Sequence, residues 1–326
     1  MTLVIGTDEA GYGPNLGPLV VAATAWKVDA GIDDAEATLG RALLEVDAAT
    51  GGGGRAAPLW ADSKQIYRGG DGFRRLERAA SIGLWLAGGD LPATWAALAD
   101  TVGPISPRGA CRPEWRELEP LALPREADAA ECIDRATAVR GLLARHGVVL
   151  GRIACRAIYP DEFNAGLRDG LNKSDILSAA TLDLAASLRA VADDAPTIVW
   201  CDRHGGRKRY GGLVARHFDA PLVRPLEETP ARSAYLVPSG DAPPVRACRI
   251  EFCVGGESRG PVALASMTAK YVRELSMLAF NAFWGSRVPD LRPTAGYPTD
   301  ALRWRHDAAV AIEQARLAED DFWRRA

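Results

Sequence analysis

A chain of 326 residues, 48% of them hydrophobic, is long enough to bury an ordinary core, which excludes a disordered protein or a small scaffold held by disulfides. With 39 Lys and Arg against 42 Asp and Glu the formal charge is -3, so no global field draws the chain to nucleic acid or anionic lipid, and a polyanion must be met by local patches. The six cysteines (Cys111, Cys132, Cys155, Cys201, Cys248 and Cys253) form no C-x-x-C pair and read as reduced thiols. No basic region runs into a long apolar stretch at the start, and no window approaches a membrane span, so the expected location is the cytoplasm.

The first predicted strand, Leu3-Val4-Ile5, leads into Gly6-Thr7-Asp8-Glu9-Ala10-Gly11-Tyr12-Gly13-Pro14, two adjacent carboxylates ahead of a glycine-punctuated turn. Neighbouring side chains on a strand point to opposite faces. Asp8 and Glu9 therefore converge only if the chain bends, as Gly11 and Gly13 permit, or if one ligand is a main-chain carbonyl. Taken alone, the pair reads as a strand end followed by a solvated acidic turn. Leu19 to Trp26 is a continuous apolar run, expected as a strand covered on both faces and paired with the first through a hairpin at Gly13 to Pro18.

Residues 29 to 61 lose the strand pattern, carry Gly51-Gly52-Gly53-Gly54 and read as an insertion. Phe73 to Ala80 has helical composition. A second insertion is expected over 88 to 140, rich in Pro, Arg and Trp, with a helix around Ala127 to Arg145. Trp95, Trp115 and Trp304 are scattered and read as packing residues. Val148 to Ile158 is strand-like, and Tyr159-Pro160 starts a helix with proline in its first turn. Ser174 to Arg189 is an amphipathic helix with its stripe at Leu177, Leu184 and Leu188.

Thr197 to Cys201 is a buried strand that sets a third carboxylate, Asp202, at its end. Arg203, Arg207, Lys208 and Arg209 follow in a basic loop beside Tyr210, a local positive surface for phosphates or simply a solvated loop. Val245 to Val254 is a further strand, Ala263 to Phe283 a long helix, and Thr299 to Ala326 a charged helical extension. The expected whole is a single α/β domain over 1–326 with a mixed sheet, because its first strands are joined by a tight turn.

Six collinear segments resemble prokaryotic type 2 ribonuclease H (ribonuclease HII), and the chain is similar to a divergent member of that family with insertions. Residues 6 to 23 (GTDEAGYGPNLGPLVVAA) resemble its G-x-D-E-A-G-R-G-P motif, and Asp62-Ser63-Lys64 resembles its D-S-K element. Asn172 to Arg189 is similar to its helix after the third part of the sheet, and Thr197 to Asp202 to the strand that ends in its third acid. Ala265 to Glu274 is similar to A-S-I-x-A-K-V-x-R-D, and Gly296-Tyr297-Pro298-Thr299 to G-Y-x-T.

This resemblance implies an RNase H-like fold, a mixed central β-sheet flanked by helices, and an endonuclease that cuts the RNA strand of RNA/DNA hybrids or ribonucleotides embedded in duplex DNA. By carry-over Asp8, Glu9, Asp202 and Glu274 form the catalytic and metal-binding acids, for Mg²⁺ or Mn²⁺. Two such ions roughly 3.5 to 4 Å apart activate water and stabilise the leaving oxygen, and hard ions want oxygen ligands. Gly11, Tyr12, Gly13, Lys64, Lys270 and Tyr297 are the implied nucleic-acid contacts, and Arg207 of the basic loop is read as a further one from its charge. His204 reads as a group behind the metal ligands or as a loop histidine.

Two positions depart from the family pattern: Tyr12 stands where the motif has arginine, which removes a guanidinium from the phosphate-binding set, and Glu274 stands where it has aspartate. Two other functions are compatible with the residues: a related nuclease with a different nucleic-acid substrate, and a non-catalytic binding or interaction module on the same fold.

Overall fold

The computed structural model describes residues 1–50, 58–61, 70–107, 113–191, 195–238 and 247–325. Its strands are β1 (Thr2–Ala10), β2 (Leu19–Val28), β3 (Val148–Ile158), β4 (Thr197–Asp202), β5 (Arg224–Glu228), β6 (Arg232–Val237) and β7 (Cys248–Cys253). They form one sheet in the order β3-β2-β1-β4-β7-β6-β5. The turn after β1 reverses the chain, so β1 and β2 pair antiparallel from Thr2 with Val28 to Ala10 with Val20. β3 joins β2 antiparallel, while β1, β4 and β7 run parallel to one another. This is the mixed sheet flanked by helices that the sequence resemblance implies.

The helices are α1 (Ala35–Thr50), α2 (Gly72–Gly88), α3 (Trp95–Val102), α4 (Ala129–Arg145), α5 (Pro160–Arg168), α6 (Lys173–Ala190), α7 (Gly211–His217), α8 (Gly260–Gly285), α9 (Pro298–Asp307), α10 (Ala309–Ala315) and α11 (Glu319–Phe322). Strand periodicity sorts the core into two layers. Val4, Val20, Ala22, Trp26, Ile198 and Trp200 face a core shared with α2 and α8. Leu3, Ile5, Val21, Ala23, Val199 and Cys201 face the other, filled by Leu177, Ala185 and Leu188 of α6. The run at 19–26 is thus covered on both faces, as its unbroken apolar character requires.

Local signals set the helix limits. Asn172 caps α6 in a reciprocal box with Asp175, and Pro160 takes the first turn of α5, where its missing N–H costs nothing. α8 is buried nearly all round, with Val262, Leu264, Met267, Tyr271, Leu275, Phe280 and Trp284 all enclosed. Among the described residues no helix is long and apolar enough to cross a membrane.

The stretches expected as insertions pack into the same core as the sheet. Trp60, Trp95, Ile105, Trp115 and Val139 share one buried cluster with Val4 and Trp26. Trp304 lies in it as well, so all three scattered tryptophans are packing residues. Glu77 of α2, 0% exposed, ties the second stretch down: its carboxylate accepts the N–H groups of Arg125, Glu126 and Ala127 at 2.6–2.8 Å and the Tyr271 hydroxyl at 2.9 Å. The five described cysteines are free thiols; Cys111 lies outside the described residues, as do Asp62, Ser63 and Lys64.

Strands β5 and β6 are not anticipated by the sequence pattern. β5 is short, charged and almost wholly exposed at the sheet edge, so it lacks the apolar alternation that marks a strand.

One contact sets the distance between α8 and the sheet. A Cβ on Gly6 would lie 2.3 Å from the carbonyl carbon of Pro261, and the Thr24 hydroxyl donates to the Pro261 carbonyl at 2.9 Å. Gly6→Ala must push helix and strand apart and is expected to cost about 3 kcal/mol or more, read as a lower denaturation midpoint at unchanged m-value. A midpoint within experimental error of wild type would refute this close-approach role.

Candidate active site

Alternation on the strands brings the first two acids together. In β1, Val4, Gly6 and Asp8 face α8; in β4, Ile198, Trp200 and Asp202 do the same. Thr7 and Cys201 are the last residues in register between these parallel strands, and Asp8 and Asp202 follow one step beyond, on strands about 4.8 Å apart. Asp202 is held from above: the N–H of Gly256 donates to its Oδ1 at 2.9 Å, and a Cβ on Gly256 would lie 3.1 Å from its Cα. That close approach seats the turn Gly256–Ser258, and with it Glu257, against Asp202.

α8 supplies the wall. Ser266 hydrogen-bonds Asp8, and Lys270 and Glu274 follow at successive intervals of four on the same helix face. Glu9, Gly11, Tyr12, Gly13, Arg273 and Tyr297 complete a cleft of about 520 Å³. β1 stays in register with β2 through Ala10, so Asp8 and Glu9 reach the cleft from opposite faces of the strand end; the chain turns only after them, at Gly11, whose φ is +86° and whose Cβ would meet the Pro18 carbonyl at 2.6 Å.

Electrostatically the cleft is short of positive charge at its floor. Burial first, and then the charges of Asp202 and Glu257, push the Asp8 carboxyl up to about 7 against the opposing Ser266 hydrogen bond. Its donor chemistry suits a hard divalent ion: carboxylate oxygens line it, with no thiol or imidazole among its lining residues. Among the described residues no three such side chains are already drawn together closely enough to hold an ion.

The other residues singled out from sequence divide. Lys270 and Glu274 line the cleft as an ion pair at 2.9 Å. Tyr297 lines it with 57% of its surface exposed. The Tyr12 ring is half-buried beneath the Lys173 ammonium, 4.6 Å from its centroid. Arg207 is turned to Asp175 and to the Ser174 hydroxyl, and Arg203 to the carbonyls of Thr229 and Pro230. Of that loop's basic side chains only Lys208 and Arg209 are exposed.

His204 is not among the lining residues. It is 1% exposed, bonded through Nδ1 to the Ser178 hydroxyl at 2.9 Å and packed edge-on against Tyr210 and Phe252. Burial, with the Arg207 charge added, drives its pKa down to about 3, so the ring stays neutral. Glu257 is the acid that sequence reading passes over. Its only local signal is its place in a glycine-rich turn, GGES, directly before the long helix.

No family model matches the sequence, and no curated protein does. Among solved structures it is similar to the RNase HII of the PCNA:RNase HII complex from Archaeoglobus fulgidus, at 15% identity over 99% of this chain and 94% of that one, with TM-score 0.47. It is also similar to the ribonuclease H2 from Pyrococcus horikoshii OT3, at 14% over 98% and 92% with TM-score 0.45. A third is Bst-RNase HIII in complex with Mn²⁺, at 16% over 99% of this chain and 66% of that one with TM-score 0.44. All three of these are ribonucleases H.

The raised Asp8 pKa has a definite sign in stability. Between the ordinary carboxylate pKa and about 7 the folded state holds a proton that the unfolded chain releases, so stability falls as pH rises through this range. Asp8→Asn is expected to raise the Tm at pH 8, by an amount worth on the order of 2–4 kcal/mol, with the gain shrinking toward pH 4. Added Mg²⁺ should raise the wild-type Tm more at pH 8 than at pH 6, and should not raise that of Asp8→Asn. A substitution effect independent of pH in thermal unfolding would contradict the assignment.

Proposed function

We propose that this protein is a divalent-metal-dependent endonuclease that hydrolyses the RNA strand of RNA/DNA hybrids or ribonucleotides embedded in duplex DNA. The observation that supports the reading is that Asp8, Glu9, Asp202, Glu257 and Glu274 line one cleft beside a glycine turn. Net charge gives the molecule no general attraction for nucleic acid, so recognition must be local. Lys270 at the wall and the exposed Lys208 and Arg209 beyond Asp202 supply cations for phosphates.

Asp8, Glu9 and Asp202 would hold Mg²⁺ or Mn²⁺, and Glu257 is favoured over Glu274 for the fourth place. Glu257 is close enough to raise the Asp8 pKa, whereas Glu274 is engaged by Lys270. Bound ions of this kind supply an activated water and stabilise the leaving oxygen. The chain's own residues prepare the site. Ser266 orients Asp8, the Gly256 N–H orients Asp202, and Lys270 draws a phosphate toward the acids. Gly11 and Gly13 leave the main chain free to approach a ribose, where a 2′-hydroxyl distinguishes RNA from DNA. Tyr297 offers an exposed ring beside Gly13 for stacking on a sugar or base.

On a duplex containing ribonucleotides, Mg²⁺- or Mn²⁺-dependent cleavage is expected, abolished by EDTA. Asp8→Asn and Asp202→Asn should each lower kcat by about a hundredfold or more, and Glu257→Gln should lower it more than Glu274→Gln does. Wild-type protein that cleaves no such duplex with either metal would overturn the proposal, and a larger loss at Glu274 would return the fourth place to that residue.

A further inference from the structure

The glycine turn that borders the cleft is held from behind by a segment some three hundred residues downstream. Trp323 bridges Leu16 in antiparallel fashion, the Arg324 N–H donates to the Asn15 carbonyl at 2.7 Å, and the Asn15 side-chain amide donates back to the Arg324 carbonyl at 3.0 Å. Asn164 of α5 fastens this strap from its other side. Its amide donates to the Trp323 carbonyl at 2.8 Å, and its oxygen accepts the Arg325 N–H at 2.9 Å.

Through this strap the Arg324 side chain is carried into the molecule, 0% exposed, with its guanidinium 5.0 Å from the Phe163 ring centroid. Nη2 donates to the carbonyls of Gly11, at 2.5 Å, and Pro14. Among the described residues its Nε and Nη1 find no partner. A guanidinium enclosed in this way on carbonyls is expensive, and an apolar side chain would fill the space without the desolvation. What it does that no apolar side chain can do is grip both ends of the Gly11–Pro14 turn at once.

The planarity of the peptide group converts that grip into a direction. In a trans peptide the C=O of one residue and the N–H of the next point opposite ways. The Pro14 carbonyl is held by Arg324 and the Asn15 N–H on the far side of the same peptide by the Gly296 carbonyl at 2.8 Å, so that unit is fixed at both ends. The Gly11 carbonyl is held in the same way, which turns the Tyr12 N–H away from Arg324, toward the side on which Gly11, Tyr12 and Gly13 line the cleft. No hydrogen bond within the described residues uses that N–H.

We infer that Arg324 is a positioning residue for substrate: it fixes the Gly11–Tyr12 peptide so that the Tyr12 N–H is presented to a sugar or phosphate oxygen of the strand bound in the cleft. The inference rests on the nuclease reading of that cleft. Arg324 makes no contact with substrate itself and acts through the turn, so its loss weakens binding and leaves the chemistry of the acids in place. Burial and the nearby Arg273 charge pull its pKa down to about 9, so it stays charged at neutral pH and keeps its hold on both carbonyls.

The test combines steady-state kinetics on a ribonucleotide-containing duplex with amide hydrogen exchange of residues 11–16 in the protein without ligand. In Arg324→Met the KM is expected to rise roughly tenfold, the loss of one hydrogen bond to a charged acceptor, with kcat within about twofold and with faster exchange at Tyr12. Arg324→Lys should fall between the two. Asn164→Ala frees the strap without touching the guanidinium and should shift KM and exchange in the same direction.

Folded Arg324→Met with wild-type KM and wild-type exchange would overturn the inference, as would a loss confined to kcat. If Arg324→Met is recovered only unfolded, Arg324→Lys and Asn164→Ala decide by the same measures. Wild-type protein that neither binds nor cleaves the duplex would refute the nuclease reading and, with it, the substrate role. The exchange measurement would still decide on its own whether Arg324 holds the turn.

Discussion

The absence of a side chain at Gly6 is the constraint on which the site depends. Because nothing projects from β1 at that point, Pro261 and the first turn of α8 lie directly on the strand, and every residue that follows along the helix is placed relative to the sheet by that contact. Two residues beyond Gly6 on the same strand face is Asp8; five residues beyond Pro261 on the helix is Ser266, its hydrogen-bond partner. The turn just ahead of Pro261 carries Glu257, and Gly256 permits the equally close approach to Asp202. Two glycines that would look interchangeable with alanine in composition therefore set the separation of three carboxylates.

A near-neutral total charge conceals a strong local sorting of ions. Acids face the cleft from strand ends, from the turn before α8 and from α8 itself, where Lys270 and Arg273 also line it; other cations sit behind, Arg324 on the carbonyls of the glycine turn and Lys173 over the Tyr12 ring, while Arg273 reaches the carbonyls of Leu16 and Ala295. Both arginines are deeply buried and spend hydrogen bonds on main chain, so their work is to hold loops in shape. Elsewhere Glu251, 1% exposed, collects Arg232, Arg249 and Arg259, and Arg259 also lies over Trp200 just ahead of α8. That cluster anchors the start of the same helix from the sheet side.

The strands around the site could be read from sequence because burial on both faces leaves unbroken β-branched and apolar runs, and the ends of those runs are where Asp8 and Asp202 stand. Asn172 and Pro160 likewise announce the helices they begin. What could not be read is contact between segments distant in the chain. Glu257 has no periodic neighbours to mark it, and its importance comes from the Gly256 approach to Asp202 across 54 positions. Arg324 looks like one basic residue in a charged helical stretch until Asn15 and Asn164 draw the segment inward. His204 and Arg207 fail in the opposite sense: their nearness to Asp202 in sequence suggests a role at the acids, but Ser178, Ser174 and Asp175 of α6 claim both side chains. The charged edge strand β5 is held by pairing to β6, a tertiary fact with no local pattern.

On the proposed function, a proton and a divalent cation would compete for the Asp8 carboxyl. Asp8 is half-buried at the end of β1, held by Ser266 and pressed by Asp202 and Glu257, and the least costly way to relieve that crowding is to keep a proton near neutrality. A bound cation would relieve it by a different route, so its affinity would fall as acid supplies the proton instead. His204 cannot soften this competition by buffering protons nearby, since its own burial keeps it neutral. On that reading the acid side of the pH dependence follows Asp8, which the close packing of α8 on β1 sets beside Ser266.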